Sequence, residues 1–217
     1  MNIDCLYKDI CEKECTANCI RYLEMKYLLK TSCIPKHKQK VNSLVPDACD
    51  VQAFEKLADI RNNILDFTKN GEKLYIYSET CGNGKTTWAI KLMLQYFNEM
   101  WAGNGFIKRG IFLNVPTFLS NCKSLISRPN SEFEDLQDSL AFVDLVIWDD
   151  IAATKLSDYD YNLLLTYIDQ RVVNGKANIY TGNILPDKLG NYVSTRLASR
   201  ICGDSAIKIE LKGGDRR

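Results

Sequence analysis

An α/β domain built around a parallel sheet is predicted by three features of the sequence. Leu74 to Tyr77 is a short β-rich run that feeds a glycine-bearing turn, and the turn opens an apolar segment with helical spacing. Leu145 to Trp148 is a second, uninterrupted apolar run that ends in Asp149 and Asp150. Ala177 to Thr181 (Ala-Asn-Ile-Tyr-Thr) reads as another buried strand and ends at Gly182-Asn183. Runs of this kind suit strands buried on both faces, and the helical stretches between them suit crossover connections.

The 217 residues suit one such domain plus a small appendage. Lys and Arg number 28 and Asp and Glu 27, so no whole-protein field attracts a polyanion, and any nucleic-acid contact must come from a local patch. No run of about 18 apolar residues occurs and the N-terminus is not signal-like, which predicts a soluble, cytoplasmic protein. In a reducing compartment the nine cysteines are explained by metal ligation or by burial, not by disulfides.

The elements follow in order. Residues 1–46 read as a separate cysteine-rich region, with the boundary near 46. Cys11, Cys15 and Cys19 are spaced i, i+4, i+8, which on a helix is a single face, and Cys5 precedes them. Two readings stay open: ligation of an ion, zinc ahead of an iron–sulfur cluster, or small apolar side chains lining a helix. Cys33 and His37 are reserve ligands. Arg21 to Lys30 continues as an amphipathic helix, and Pro35 to Lys40 is a basic stretch that reads as a solvated connector or as an edge contacting phosphate. Asp47 to Thr68 reads as one helix with an apolar stripe through Phe54, Leu57, Ile60, Ile64 and Leu65.

The turn after Tyr77 carries the first chemistry. Gly82, Gly84, Lys85 and Thr86 make most of a phosphate-binding loop: glycines let successive N–H groups point at phosphate oxygens, and the following helix adds its unpaired N–H groups. Thr80, Cys81, Asn83 and Thr87 complete the nucleotide-binding stretch. Lys85 would neutralise phosphate oxygens and the Thr86 hydroxyl would ligate Mg²⁺. One position departs from the pattern. Glu79 stands where a glycine is expected, and its carboxylate would repel a triphosphate unless it swings into solvent.

Trp88 to Met100 is then helical, Gly110 to Val115 a strand and Pro116 to Leu125 a helix. Ser127 to Glu134 reads as a polar turn, and Leu136 to Phe142 as a short helix. The strand ending at Asp149 and Asp150 delivers two carboxylates where α/β folds bind ligands: Asp149 suits a Mg²⁺ shell, and Asp150 suits orientation or deprotonation of an attacking water. Tyr159 to Val173 is helical, and Asn183 reaches the same sheet edge as Asp149. Arg196 and Arg200 lie one helical turn apart, and Ala206 to Leu211 alternates like a last strand.

From about residue 50 onward the stretches YIYSETCGNGKTTWA, LVIWDD, NIYTGN and RLASRI occur in an order that resembles the AAA+ ATPases of the DnaC/DnaI helicase-loader group, phage versions included. The resemblance implies a five-stranded parallel sheet in the order 5-1-4-3-2 without a helical lid. It implies that Lys85 and Thr86 are the Walker A pair, Asp149 and Asp150 the Walker B pair, and Asn183 sensor 1. Arg196 and Arg200 fall on the arginine-finger helix, and Arg217 or Arg216 resembles the sensor 2 arginine. The group's DNA-facing region corresponds to Lys123 and Arg128. The implied activity is slow ATP hydrolysis that times loading of a hexameric replicative helicase onto single-stranded DNA, with self-association through the AAA+ faces and residues 1–46 gripping the helicase. A transposition-helper ATPase of the IstB kind and a nucleotide-binding adaptor without turnover are the alternatives.

Overall fold

The computed structural model describes residues 11–12, 18–40, 44–100, 105–125, 130–153 and 155–215. Five parallel strands form the sheet: β1 (Lys73–Tyr77), β2 (Gly110–Asn114), β3 (Leu145–Asp149), β4 (Ala177–Gly182) and β5 (Ile207–Glu210). Their order is β2-β3-β4-β1-β5, which is the expected 5-1-4-3-2 read from the other edge. The register places Tyr77 beside Gly182 and Asn114 beside Asp149, so the C-terminal ends of β1, β3 and β4 share one rim. Every residue of β3 and β4 is buried, which accounts for the apolar run of β3 and for the burial of the polar Asn178 and Thr181 in β4.

The helices are α1 (Ile20–Thr31), α2 (Val51–Asn62), α3 (Ile64–Lys69), α4 (Lys85–Glu99), α5 (Val115–Leu125), α6 (Ser131–Ser139), α7 (Asp158–Val173), α8 (Gly190–Val193) and α9 (Thr195–Cys202). One core layer joins Leu57, Leu74, Ile76, Leu92, Ile147 and Ile179 on one face of the sheet. The other joins Tyr75, Val146, Trp148, Leu164, Ile168 and Leu197. Two helix boundaries differ from expectation. The stretch 47–68 is not one helix, because Asn63, at φ −115°, separates α2 from α3. The polar stretch before Leu136 is helical from Ser131, because the Asn130 side chain accepts from the N–H groups of Glu132 and Phe133 and caps α6.

The N-terminal region differs as well. Helix α1 begins at Ile20 with Cys19 as an extended N-cap, and Cys11 lies outside any helix, so these two do not stand on one helical face. Cys5 and Cys15 lie outside the described residues. Met25, Leu28 and Ile34 enter the same core layer as Tyr96, Phe97 and Phe112, and the Phe112 N–H donates to Ser32 O at 2.7 Å. This segment therefore shares the sheet's core and lies along its β2 edge.

Arg171 fastens the opposite rim. It is fully buried and donates to Asn178 Oδ1 at 2.7 Å, Val143 O at 2.9 Å and Ala177 O at 2.6 Å, which joins α7 to the starts of β3 and β4. Burial pushes its guanidinium pKa down to about 10. Carbonyl dipoles, not a counter-charge, satisfy its N–H groups.

Candidate nucleotide site

The glycine turn closes as its sequence requires. Gly82 (φ +77°) and Gly84 (φ +100°) take left-handed conformations that a β-carbon resists, and Gly84 is the N-cap from which α4 starts at Lys85. Asn83 between them is fully buried and organises the loop. Its amide donates to Ser78 Oγ at 2.5 Å and Leu211 O at 3.0 Å, and its Oδ1 accepts from Lys85 Nζ at 3.1 Å. Lys85 Nζ also donates to Thr80 O at 2.8 Å, so the ammonium is held inside the turn.

Glu79 resolves the expected conflict. It is absent from the residues with positive φ, so that backbone position does not demand glycine. Its side chain is 66% exposed and lies 4.0 Å from Lys188 Nζ, turned toward solvent and a compensating charge.

At the end of β3 the Asp149 carboxylate is buried. Its Oδ1 accepts from the Thr86 hydroxyl at 2.7 Å and from the Thr181 hydroxyl at 2.7 Å. Burial raises its pKa; the two hydroxyls oppose the rise, the neighbouring Asp150 adds to it, and the charge of Lys38 opposes it. Lys38 thus brings the basic connector of residues 35–40 close enough to act on this carboxylate. Asp150 has φ +58°, uncommon for a residue with a β-carbon, and its N–H donates to Thr181 Oγ1 at 3.0 Å. Thr181 therefore holds the side chain of one aspartate and the backbone of the next. Asn183 follows on the same rim, with its buried Oδ1 lacking a hydrogen-bond partner.

The segment after β5 passes along the glycine turn. Leu211 O accepts from Asn83 and Gly213 O accepts from Thr80 Oγ1 at 3.1 Å. The fully buried Asp50 carboxylate accepts from the N–H groups of Lys212 at 2.6 Å and Gly213 at 3.0 Å, and Asp47 from Gly214 at 3.2 Å. The Asp215 carboxylate ends up against Gly82, where a β-carbon would come within 1.9 Å of Oδ1. The phosphate-binding turn thus has an acidic neighbour from its own chain.

The structure brings Thr80 to Thr87, Asp149, Asp150 and Asn183 to one rim. Arg196 and Arg200 lie on α9 and share Asp169 of α7: Arg196 Nη2 is 3.0 Å from Oδ2, and Arg200 Nε pairs with Oδ1. Lys123 pairs with Asp160 at 2.8 Å, so its charge is partly satisfied within the chain. Arg128, Arg216 and Arg217 lie outside the described residues. Among the described residues no group of three His, Cys, Asp or Glu side chains has the arrangement of a metal centre; Cys11, Cys33 and His37 are exposed. Two contributors escaped sequence reasoning, Thr181 and Asp50, while Lys38 belongs to the basic stretch for which an edge contacting phosphate was one of two readings. Thr181 precedes the Gly182-Asn183 pair in a strand adjacent to β3, the one signal that pointed to it.

No protein-family model matches the chain, and no curated protein matches it. Solved structures do. The DnaC helicase loader superposes with TM-score 0.67 at 17% identity over 82% of this chain and 100% of that one. DnaI superposes with TM-score 0.66 at 15% identity over 83% of this chain and 95% of that one. AMPPCP-bound DnaA from Aquifex aeolicus gives TM-score 0.63 at 18% identity over 82% of this chain, which spans 51% of that protein. The chain shares the fold of these structures.

Proposed function

We propose that the chain is an ATP-dependent loader of a hexameric replicative helicase onto single-stranded DNA. The observation that carries the nucleotide half is the Thr86–Asp149–Thr181 arrangement beside a left-handed glycine turn that heads α4 with Lys85. The likeness to a helicase loader's domain, over that chain's whole length, supports the other half.

The chemistry follows from the residues. The backbone N–H groups of the turn and the N-terminus of α4 receive the phosphates of ATP. Lys85 exchanges Thr80 O and Asn83 Oδ1 for phosphate oxygens, because a charge-assisted bond to an anion outweighs bonds to neutral acceptors. The Thr86 hydroxyl and the Asp149 carboxylate, 2.7 Å apart, are the hard oxygen donors that Mg²⁺ prefers, and the ion supplies neutralisation of charge on the transferred group. Asp150 orients the attacking water or takes its proton, and the Asn183 amide positions the same water or the terminal phosphate. The aspartate at 150 is one methylene shorter than glutamate, which makes turnover slow and suits a timed switch.

Arg196 and Arg200 complete the site of an adjoining subunit. Leaving Asp169 for a developing phosphate charge couples hydrolysis to assembly. The N-terminal segment, anchored through α1, carries the helicase contact; metal analysis of the purified protein tests whether Cys5, Cys11, Cys15 and Cys19 bind an ion. For the whole reading the test is Mg-ATP binding and turnover with and without single-stranded DNA and the helicase. The reading requires binding that Lys85→Ala weakens by at least tenfold, and turnover that the partners stimulate. Equal binding by the two proteins would end it.

A further inference from the structure

Helices α2 and α4 leave between them a groove of about 330 Å³, whose Leu44 reaches the glycine turn, 3.4 Å from where a β-carbon on Gly84 would stand. Leu44, Pro46, Phe54 and Ala58 supply apolar walls, and Arg61, Trp88 and Lys91 line it as well. Val45 (76% exposed) lies between two lining residues, and Val51 (43% exposed) is itself one, so apolar surface continues to the mouth. Lys91 stands six residues beyond Lys85, about 9 Å farther along the helix axis.

The polar groups here lack acceptors. Arg61 Nε and Trp88 Nε1 are both buried without a hydrogen-bond partner. Lys91 Nζ lies 4.9 Å from the centre of the Trp88 ring, whose other side meets Phe54 edge-on at 5.0 Å. Burial lowers the Lys91 pKa, and the charge of Arg61 lowers it further, so the two cations face each other's field. Neither is within ion-pair distance of a carboxylate among the described residues, including Glu55 on the same wall. An unmade hydrogen bond at a buried donor is costly, and two unpaired cations side by side repel. One external carboxylate relieves all three groups.

We propose that this groove docks a short acidic segment of a partner protein, a carboxylate settling among Arg61, Lys91 and Trp88 while flanking aliphatic or aromatic side chains fill the apolar end. The walls decide between anions: a nucleic-acid backbone brings charge at every residue and nothing to cover Phe54, Ala58 and Pro46, whereas an acidic peptide with apolar neighbours satisfies both halves.

The test is fluorescence anisotropy with a panel of labelled 15-residue peptides in which one or two glutamates are set beside leucine or phenylalanine at varied spacing, against a matched panel with lysine for glutamate. Members of the acidic panel should bind at micromolar concentration and the lysine panel should not. Lys91→Glu and Arg61→Glu should each weaken binding by more than tenfold, and together turn preference to the lysine panel. Trp88→Phe, which keeps the ring and removes the N–H, should cost several-fold. Retained binding of a fluorescent ATP analogue shows each variant folded. The proposal falls if no acidic peptide binds below about 1 mM, if the charge reversals leave binding unchanged, or if the variants lose a single-stranded oligonucleotide instead.

Discussion

Thr181→Val removes one hydroxyl from the sheet rim and keeps the side chain's shape. Two hydrogen bonds disappear: the one donated to Asp149 Oδ1 at 2.7 Å and the one accepted from the Asp150 N–H at 3.0 Å. The first involves a buried carboxylate and is worth about 2 kcal/mol; the second leaves a backbone N–H unpaired at about 1 kcal/mol or more. Together they predict a loss near 3 kcal/mol, which at a slope of about 2.5 kcal/mol per molar urea moves the unfolding midpoint down by about 1 M. The same change frees Asp150 from its left-handed conformation and removes one of the two hydroxyls opposing the rise in the Asp149 pKa. Turnover should therefore fall by more than tenfold and its pH profile should shift to higher pH. Urea titration by circular dichroism and phosphate release between pH 5.5 and 8.5 are the assays. A variant with wild-type midpoint and wild-type turnover would refute the coupling of Asp149 and Asp150 through Thr181.

Asp149→Asn should stabilise the protein at neutral pH while abolishing Mg²⁺-dependent nucleotide binding. Burial raises this carboxyl above 3.8, so its contribution to stability is full below that value and is lost as pH climbs through the native pKa; the variant should lose this part of the dependence in urea midpoints measured from pH 4 to 7.5. Asp150→Asn keeps a residue suited to φ +58° and should bind ATP normally while hydrolysing it at least 100-fold more slowly, by calorimetry and phosphate release. Asp215→Asn takes a charge from beside Gly82 and should tighten ATP binding about fivefold, the equivalent of about 1 kcal/mol, with the gain shrinking in high salt.

The parallel strands were legible because strands covered on both faces announce themselves as apolar runs, and β3 and β4 have no exposed residue to break the pattern. Lys85, Thr86, Asp149 and Asn183 were legible because each closes or follows a strand or turn whose type is local. Helix α6 was misplaced because it has no fully buried residue and only Phe133 and Leu136 within it pack on the core, too short a stripe to stand out; Asn130, its cap, was the other cue. Thr181 looked like another strand residue until the register set β4 beside β3. Asn83 was placed in the nucleotide-binding stretch by its position alone, but its tie from the turn to Leu211 was not legible, nor was the capping of the Lys212 and Gly213 N–H groups by Asp50. Contacts across so much chain leave no local trace. The cysteine spacing at the N-terminus suggested a helical face, but the described helix starts only at Ile20, and its Met25 and Leu28 serve the sheet's core.

Helicase loading driven by ATP at this rim is the proposal on which the mechanism rests. Its most direct test is loading of a hexameric replicative helicase onto circular single-stranded DNA with ATP, read as strand unwinding from an annealed oligonucleotide. The wild-type protein should make loading depend on its presence, and Lys85→Ala should reduce loading by at least tenfold. Loading that proceeds equally without the protein, or undiminished with Lys85→Ala, would contradict the claim.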